Sequence, residues 1–573
     1  MEFEFVIVGA GAAGCVLANR LSGLPQAPSV CLIERGPAHT DSRWNVAMAA
    51  AFSYNKAVEN ERDLWLRYLS EFEKQLNGRR IECPRGIGWG GSTAINGMVF
   101  VRGQPEDFDR WARDQFCGNI WSFQNCLQYF KRLDSYNPGF DLEDAIDPEA
   151  DADCSSTISE FRGFEGPVKV TSGRYTNRQH SKCAYFPAFI RAGIEAGHKY
   201  NPNCNGPIQE GVGWLDAIIS DGIRQSSSRC YLLPALKRNN LTIISNALVS
   251  RVILEDKRAV CVEYISSNGK LNFVRATKEV ILSGGAYNSP QLLMLSGIGD
   301  PAELRKVGIE PLHELPGVGR NLQDHLRFSL QYETRNPEIS FNPGNWQTEW
   351  ANRMRSEWET SKSGWGASNN LEVCLFLKTN PSNPTANIEC CTVASSLGAE
   401  GARSSKYEVG ISVDIVNERP QSIGRLTLRS NNPADDLIIE HNYFSVAQDV
   451  REMVDAIAIV RRVFTQPALS EYVGEELQLC PNQSDAALEQ FVRASSTSCF
   501  HPCGTCRMGD PNAAPTPEAA RQLVVDAELR VVGLHGLRVV DASVMPSITS
   551  GNTNAATWMI AEHAADNISS TSC

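Results

Sequence analysis

The sequence predicts an α/β protein with a buried parallel sheet that begins at the N terminus. Residues 5–8 (Phe-Val-Ile-Val) and 30–33 (Val-Cys-Leu-Ile) are continuous apolar runs of strand length, typical of strands buried on both faces. Between them, apolar residues such as Val16 and Leu21 recur at helical spacing. A third segment that predicts a buried strand, residues 537–540 (Leu-Arg-Val-Val), lies near the end of the 573-residue chain. The chain is several times the common domain length of roughly 100–150 residues, so we expect more than one domain.

A glycine-rich turn joins the first predicted strand to the first predicted helix. The segment Gly9-Ala10-Gly11-Ala12-Ala13-Gly14 has the G-x-G-x-x-G spacing of dinucleotide-binding proteins. In this motif Gly9 permits the tight turn, Gly11 lets the backbone approach a pyrophosphate, and Gly14 lets the helix pack closely on the strand. The N-terminal end of the helix then presents N–H groups to the phosphates.

An acidic residue completes this nucleotide-binding pattern. Glu34 directly follows the second apolar run, where a carboxylate accepts hydrogen bonds from the ribose hydroxyls of the adenosine. A 2′-phosphate would be repelled there, so NADP is disfavoured. The alternative, a glycine turn that only packs a helix closely, leaves the position of Glu34 unexplained. The fingerprint by itself does not distinguish FAD from NAD.

Composition excludes several classes of protein. A net charge of −12, from 54 basic and 66 acidic residues, argues against a nucleic-acid binder and a basic membrane-surface protein. The longest nearly unbroken apolar stretch, residues 5–18, is shorter than the ~20 residues of a membrane span, and the acidic Glu2 and Glu4 before it argue against a secretory signal. The 18 cysteines are too dilute for a disulfide scaffold. We therefore expect a reduced, cytoplasmic protein without a membrane span, and a secreted mature form is the open alternative.

Four further stretches complete a pattern that spans nearly the whole chain. They are residues 86–103 (Gly-Ile-Gly-Trp-Gly-Gly-Ser-Thr-Ala-Ile-Asn-Gly-Met-Val-Phe-Val-Arg-Gly), 284–299, 315–325 (Leu-Pro-Gly-Val-Gly-Arg-Asn-Leu-Gln-Asp-His) and a C-terminal block within residues 500–554. Together with the N-terminal fingerprint, and in this order, they resemble the glucose-methanol-choline (GMC) oxidoreductases, which are flavoenzymes that bind FAD and oxidise alcohols. Chance agreement of five motifs in family order is negligible.

The resemblance implies that FAD is bound, and bound without a covalent link. In some members of the family a His two residues after the Ser/Thr pair of the second motif is joined to the flavin, and the corresponding residue here is Ile95, which has no nucleophile. The resemblance assigns further residues to the cofactor besides the three motif glycines. Those for the ADP half are Ala12, Ala13 and Glu34, with Val249 at the adenine. Those along the pyrophosphate and flavin are Ser92, Asn96, Gly97, Met98 and Val99, and those around the ribityl chain and ring are Phe500, Asp541, Ala542, Asn552 and Thr553.

The resemblance also implies the catalytic pair. Oxidation of an alcohol requires loss of the hydroxyl proton, for which an imidazole is suited because its pKa lies near ambient pH. His501 occupies the position of the family's base. Asn552 matches a second position that is His or Asn in the family, and its amide can orient the alcohol oxygen but cannot take a proton.

Other potential sites are weaker. The remaining histidines (39, 180, 198, 313, 325, 441, 535 and 563) show no metal-ligand spacing, so we interpret them as structural or surface groups and expect no metal. The segment Cys503-Gly504-Thr505-Cys506 is formally C-x-x-C, and a redox role for it is an alternative to simple packing.

The resemblance implies a discontinuous FAD-binding domain of residues 1–325 and 520–573 and a substrate-binding domain of residues 326–519, built on an antiparallel sheet backed by helices. A lid or extension near residues 40–80 and part of residues 150–210 would contribute to the substrate side. Trp346, Trp350, Trp358 and Trp365 would either line a pocket for an aromatic or bulky alcohol or pack the core and lid.

The predicted function is FAD-dependent oxidation of a primary or secondary alcohol, aromatic or bulky, to the carbonyl by proton abstraction and hydride transfer to flavin N5. Oxygen or another electron acceptor is the second partner. The rival is an enzyme of the same fold without net oxidation, such as a hydroxynitrile lyase, a cyclase or a decarboxylase. The intact pair of His501 and Asn552 favours oxidation, and a flavin-binding module without activity would leave that pair without purpose.

Overall fold

The computed structural model describes residues 1–38, 65–139, 146, 158–339, 356–395, 410–479 and 483–571. Within these residues the two largest sheets have seven strands each. The predicted lid near residues 40–80 lies largely outside the described residues. Its described part contributes the strand Trp65–Leu69, which pairs with Glu82–Gly86 in a two-stranded antiparallel ribbon.

The first sheet contains all three segments that the sequence predicts as buried strands. The strand Glu2–Val8 is paired in parallel with Val30–Ile33 on one side and with the end of Leu271–Leu282 on the other. The side chains of Val6 and Ile7 are fully buried, as expected for a strand covered on both faces. The strand order is Leu241–Ile244, Val30–Ile33, Glu2–Val8, Leu271–Leu282, Arg258–Ser266 and Ala247–Glu255, with Leu537–Val539 paired to the end of Leu271–Leu282.

Two helices pack together beside the parallel part of this sheet. Ala12–Ser22 follows the glycine turn, and Thr553–Thr571 packs against it. The sequence predicts the second helix over residues 557–565 only, and this prediction was too short at both ends. The apolar pattern marks only the buried turns, whereas Asp566 and Ser570 near the C-terminal end are exposed and polar.

The second sheet is antiparallel in all of its described pairings. Helices Ala447–Phe464 and Tyr185–Glu195 pack against it. The predicted fold class, with a parallel sheet for a nucleotide and an antiparallel sheet backed by helices, is confirmed. The strand order is Val473–Glu476, Leu326–Thr334, Ile411–Asn417, Ile388–Val393, Val373–Leu377 and Gly211–Trp214, with Thr497–Ser498 paired to Leu326–Thr334.

Smaller elements connect the two sheets. The short strands are Asp134–Asn137, Val168–Ser172, Asp216–Ala217, Ile219–Ser220, Ile223–Arg224, Ile298–Gly299, His313–Glu314, Arg425–Thr427 and Ile438–Glu440. The further helices are Pro105–Arg113, Phe123–Leu133, Gly173–Thr176, Leu233–Ala235, Gly285–Leu295, Pro301–Lys306, Asp485–Ser495 and Pro517–Arg521. Among the described helices, none combines the length and apolar character that a membrane crossing requires.

Candidate active site

A cavity of about 440 Å³ lies between the two sheets. Its walls include Val8 and Ile33 at the carboxyl ends of parallel strands of the first sheet, where ligands of open α/β sheets bind, and residues of the second sheet. Of the predicted site residues, Gly14 alone is absent from its lining. The others all line it: Gly9, Gly11, Ala12, Ala13, Glu34, Ser92, Asn96, Gly97, Met98, Val99, Val249, Phe500, His501, Asp541, Ala542, Asn552 and Thr553.

The two glycines that flank Ala12 and Ala13 face different surroundings. A Cβ atom placed on Gly14 would collide with the carbonyl oxygen of Gly9, so Gly14 permits the close contact of helix and strand. A Cβ placed on Gly11 would have no protein atom within 4 Å, because it would project into the cavity. Both observations fit the roles that the fingerprint predicts.

The N-terminal end of helix Ala12–Ser22 opens toward the same space. No side chain caps this end, so its first N–H groups stay available to an anion in the cavity. The neighbouring Glu34 carboxylate accepts hydrogen bonds from the backbone N–H groups of Ala10 at 2.7 Å, Gly36 at 2.8 Å and Gly88 at 2.9 Å. Two carboxylate oxygens offer about four acceptor positions, so one remains for a ribose hydroxyl.

The middle of the cavity is shaped by two polar anchors. Asn96 Oδ1 accepts a hydrogen bond from Arg224 at 2.7 Å and one from the backbone N–H of Met98 at 3.2 Å. Asp541 Oδ2 accepts from the backbone N–H of Gly285 at 2.8 Å and from the Ser289 hydroxyl at 2.5 Å. Asp541 thereby fixes the glycine turn that precedes helix Gly285–Leu295.

His501 and Asn552 meet at the other end of the cavity. Asn552 Nδ2 lies 3.0 Å from His501 Nε2. An amide nitrogen only donates, so the contact makes His501 Nε2 an acceptor and places the ring proton on Nδ1. Burial, with the neighbouring His325, lowers the pKa of His501 to about 3, so the ring is neutral near pH 7. The pair combines a neutral base with an amide donor.

Asp324 holds the backbone of the base, and the sequence analysis assigned it no role. Its Oδ1 accepts the backbone N–H of His501 at 2.8 Å, and its Oδ2 accepts the hydroxyls of Tyr443 at 2.6 Å and Ser498 at 2.5 Å. The available signal was its place in the stretch 315–325, which resembles the family.

His325 lies directly behind His501. Its Nδ1 is 3.0 Å from His501 Nδ1, and the two rings meet edge to face. Since His501 Nδ1 carries a proton, His325 Nδ1 accepts it and the second proton of the pair lies on His325 Nε2. The sequence predicts a structural or surface role for His325; the structure buries it fully against the predicted base, so it is not a surface group.

Two glutamates continue this buried cluster. Glu418 Oε2 lies 4.0 Å from His325 Nε2 and accepts the backbone N–H of Gly551. Glu418 faces Glu389, which lines the cavity and accepts the Cys391 thiol at 3.1 Å. Burial raises the pKa of both carboxyl groups, and that of Glu418 is raised further by its neighbour. We name Glu389 and Glu418 the carboxyl pair.

Two arginines also line the cavity. Arg327 pairs with Asp414 at 2.9 Å, and both line the cavity. Arg85 donates to the carbonyl oxygen of Phe500 at 2.8 Å.

Other predicted features lie away from the cavity. Cys503 and Cys506 are buried, and burial raises the pKa of both thiols, which argues against a redox role.

The predicted tryptophans that the structure describes pack against the core. Trp358 is buried and donates to the carbonyl oxygen of Gly222 at 2.7 Å, and Trp365 is half-buried against the core. Trp346 and Trp350 lie outside the described residues. Within the described part of the chain, no group of three or more His, Cys, Asp and Glu side chains is placed to hold a metal ion.

Comparison with protein families gives the affiliation. Two models described as GMC oxidoreductase match residues 3–327 and 420–561. The chain belongs to the GMC oxidoreductase family.

Relatives of this GMC oxidoreductase match along almost the whole chain. The mitochondrial choline dehydrogenase of Homo sapiens is 40% identical over 99% of the chain and 89% of its own length. An oxygen-dependent choline dehydrogenase of Vibrio vulnificus is 39% identical over 99% of the chain and 94% of its own length. Among solved structures, pyridoxine 4-oxidase from Mesorbium loti has a TM-score of 0.83 at 28% identity, covering 98% of both chains. A fungal aryl-alcohol oxidase with a TM-score of 0.81 at 23% identity, covering 99% of both chains, shares the fold.

GMC oxidoreductases bind FAD, and the residues present fit it. The open space beside Gly11, the uncapped helix end and the acceptor position left on Glu34 suit a pyrophosphate and a ribose. Ile95 lines the cavity and offers no nucleophile, in agreement with non-covalent binding. This GMC oxidoreductase is an FAD-dependent enzyme that oxidises a small-molecule alcohol, and the non-oxidative alternatives are not favoured.

Proposed function

We propose that this enzyme oxidises a small alcohol that carries a positive charge, with His501 as the base and Asn552 as the orienting amide. The observation that carries the proposal is the buried carboxyl pair, of which Glu389 lines the cavity together with His501 and Asn552.

The two catalytic side chains divide the work at the alcohol oxygen. His501 Nε2 has its lone pair directed toward Asn552 and the cavity, so it takes the hydroxyl proton. Asn552 Nδ2 donates a hydrogen bond to the alcohol oxygen and stabilises the negative charge that develops there. Bound FAD would supply the acceptor for the hydride that leaves the carbinol carbon.

The charge of the alcohol is inferred from the charges around the base. Asp414 is neutralised by Arg327, whereas no cation is paired with the carboxyl pair among the described contacts. Two adjacent buried carboxyl groups resist being ionised together, so the pair carries at most one negative charge. A buried negative charge without a partner is costly, and a cationic substrate would supply the partner.

The relatives narrow the chemistry of that cation. Choline dehydrogenases that match the chain at 38–40% identity act on a primary alcohol with a quaternary ammonium group, as their names state. We therefore propose a choline-type alcohol, in which the bulk of the substrate lies in its cationic group.

A neutral isostere separates charge from shape. Choline and 3,3-dimethylbutan-1-ol differ chiefly in the charge of one atom, so the ratio of their kcat/KM values measures charge recognition. We expect choline to be favoured by about 10–10²-fold, and Glu389→Gln to reduce this ratio because one charge-assisted contact is lost. Equal kcat/KM values for the two alcohols in the wild-type enzyme would reject a cationic substrate.

His501→Ala tests the base separately. The protein should stay yellow, since the N-terminal fingerprint and the glycine-rich segment near Asn96 are the main proposed contacts of FAD, but anaerobic bleaching of the flavin near 450 nm should slow by roughly 10²–10⁴-fold. An unchanged bleaching rate would show that His501 is not the base.

We also propose the cofactor contacts, the domain division and the electron acceptor that the sequence predicts. The FAD contacts assigned to the cavity-lining residues and the domain division at residues 1–325 with 520–573 and 326–519 are supported by the position of the cavity between the two sheets. Oxygen or another acceptor would reoxidise the flavin. A cytoplasmic location stays a prediction, and the human and mouse relatives are named as mitochondrial.

A further inference from the structure

We propose that the proton taken from the alcohol does not remain on His501 but passes through His325 to the carboxyl pair of Glu418 and Glu389. The inference rests on the proposed role of His501 as the base. Behind that base it adds a relay, His325, and a proton acceptor, the carboxyl pair.

The protonation pattern of the two rings gives the direction of transfer. Asn552 makes His501 Nε2 an acceptor, so the proton of His501 lies on Nδ1 and points to His325 Nδ1 at 3.0 Å. His325 in turn carries its proton on Nε2, on the side that faces Glu418. Every proton along the row therefore already points away from the cavity end occupied by the alcohol.

The transfer moves one proton into the row and one out of it. As His501 Nε2 binds the hydroxyl proton, His501 Nδ1 releases its own proton to His325 Nδ1. His325 Nε2 then releases its proton to Glu418, and the proton shared within the pair shifts to Glu389. Both rings end neutral, and the pair has gained one proton.

The last step needs only a small movement. His325 Nε2 and Glu418 Oε2 are 4.0 Å apart, so an approach of about 1 Å brings them to hydrogen-bond distance. Both atoms belong to buried side chains, and His325 Nε2 and Glu418 Oε1 have no hydrogen-bond partner among the described atoms. Unpaired buried polar atoms are costly, and here they lie on the proposed path.

The surroundings of each group favour this direction. His501 faces His325 together with Asp324, Arg85 and Arg327, and burial lowers the pKa of His501 to about 3. Its ring is therefore a poor final site for a proton.

Glu418, at the end of the row, holds a proton more readily than either histidine. His325 faces the backbone of Glu418 and the side chain of Arg419, and burial lowers its pKa to about 3 as well. Glu418 faces Glu389 and Asp107, which together with burial raise its pKa well above the usual value. The proton therefore moves toward the group with the higher affinity.

The row is restored by the reverse transfer after the product leaves. Glu418 returns a proton to His325 Nε2, His325 Nδ1 returns one to His501 Nδ1, and His501 Nε2 releases one to solvent in the cavity that it lines. Both rings then regain their starting protonation, and the pair has lost the proton that it gained. Glu389, which faces Cys391, Glu418 and Asp414 and whose pKa is raised by burial, keeps the shared proton within the pair.

Glu418→Gln in the FAD-containing full chain tests the proposal. Glutamine keeps an oxygen for the N–H of Gly551 but cannot act as a carboxylate acceptor. The matched control is Glu452→Gln, since Glu452 is also buried with a raised pKa but lies outside the cavity on helix Ala447–Phe464. The measurement is the rate of anaerobic flavin reduction between pH 5 and 9 with the fastest of choline, 3,3-dimethylbutan-1-ol and benzyl alcohol.

In the wild-type enzyme and in the control we expect the rate to rise with pH, because the pair must lose a proton before it can accept one. Glu418→Gln should lower the rate at high pH by about 10-fold and remove the rise, since the remaining acceptor His501 titrates near pH 3. A folded, yellow Glu418→Gln protein with the wild-type rise would overturn the relay, and so would a flat wild-type profile.

A second variant covers the case in which Glu418→Gln fails to fold or to hold FAD. Glu389→Gln removes the carboxyl group that shares a proton with Glu418 and so stabilises the singly protonated pair, so Glu418 loses its proton less readily and the rise should move to higher pH; an unmoved rise would overturn the relay. If His501→Ala reduced its flavin at the wild-type rate, the proposed base would fail instead, so the two failures are distinguishable.

Discussion

Two alanine substitutions three residues apart should have opposite effects on folding and on FAD binding. Gly11 has φ −80° and ψ −156°, a conformation open to alanine, and its added methyl would meet no protein atom within 4 Å. Gly14 lies inside helix Ala12–Ser22, where its added methyl would collide with the carbonyl oxygen of Gly9. The folded protein therefore accommodates alanine at residue 11 but is destabilised by alanine at residue 14.

The magnitudes follow from these contacts. Gly11→Ala should leave the free energy of unfolding of the apoprotein unchanged or raise it by about 0.4–1 kcal/mol, because the unfolded chain loses freedom. Its methyl would occupy the space of the pyrophosphate, and a steric cost of about 1–3 kcal/mol weakens FAD binding by roughly 5–150-fold. Gly14→Ala should lower the free energy of unfolding by about 1–3 kcal/mol, partly offset by the better helix propensity of alanine.

Denaturant unfolding of the two apoproteins, beside a fluorescence titration with FAD, measures both quantities. The reasoning requires Gly11→Ala to separate stability from affinity. Wild-type FAD affinity in Gly11→Ala, or wild-type stability in Gly14→Ala, would refute the assignment of these two contacts.

Three further outcomes are expected. Asn552→Ala should keep its FAD but slow anaerobic flavin bleaching by about 10²–10³-fold, and bleaching at the wild-type rate would contradict its role as an oxyanion donor. Glu34→Gln should bind FAD more weakly in a fluorescence titration while the rate of reduction per bound flavin stays unchanged; a changed rate would place Glu34 in the chemistry. His563 is buried between Trp121 and Tyr129, and burial lowers its pKa from 6.5 to about 4. Between these two pH values the unfolded chain binds a proton at this residue that the folded chain does not bind. The free energy of unfolding therefore falls as the pH drops from about 6.5 toward 4. His563→Phe should remove about 2 kcal/mol of the stability lost between pH 7 and pH 5 in denaturant titrations, and an unaltered loss would show that His563 does not titrate in this way.

The sequence by itself determined the α/β fold class and a dinucleotide site, and its resemblance to a family implied the cofactor and the type of reaction. The dinucleotide site could be predicted because it is local, since the turn from Gly9 to Gly14, the strand before it and Glu34 all lie within the first 34 residues. A strand, a turn and a helix that bind a phosphate act through backbone geometry, which short-range spacing specifies. The family resemblance then joined distant motifs whose contacts the residues alone do not reveal.

Only the tertiary structure decided what surrounds the base. His325 and Glu418 come from separate parts of the chain, and Glu389 reaches Glu418 because the strands Ile388–Val393 and Ile411–Asn417 pair side by side. Their protonation depends on burial and on neighbouring charge, which exist only after the sheet has assembled. A histidine or a glutamate in isolation gives no sign of its pKa. The sequence therefore shows that the base is a histidine, whereas its proton affinity depends on the packing of strands that lie far apart along the chain.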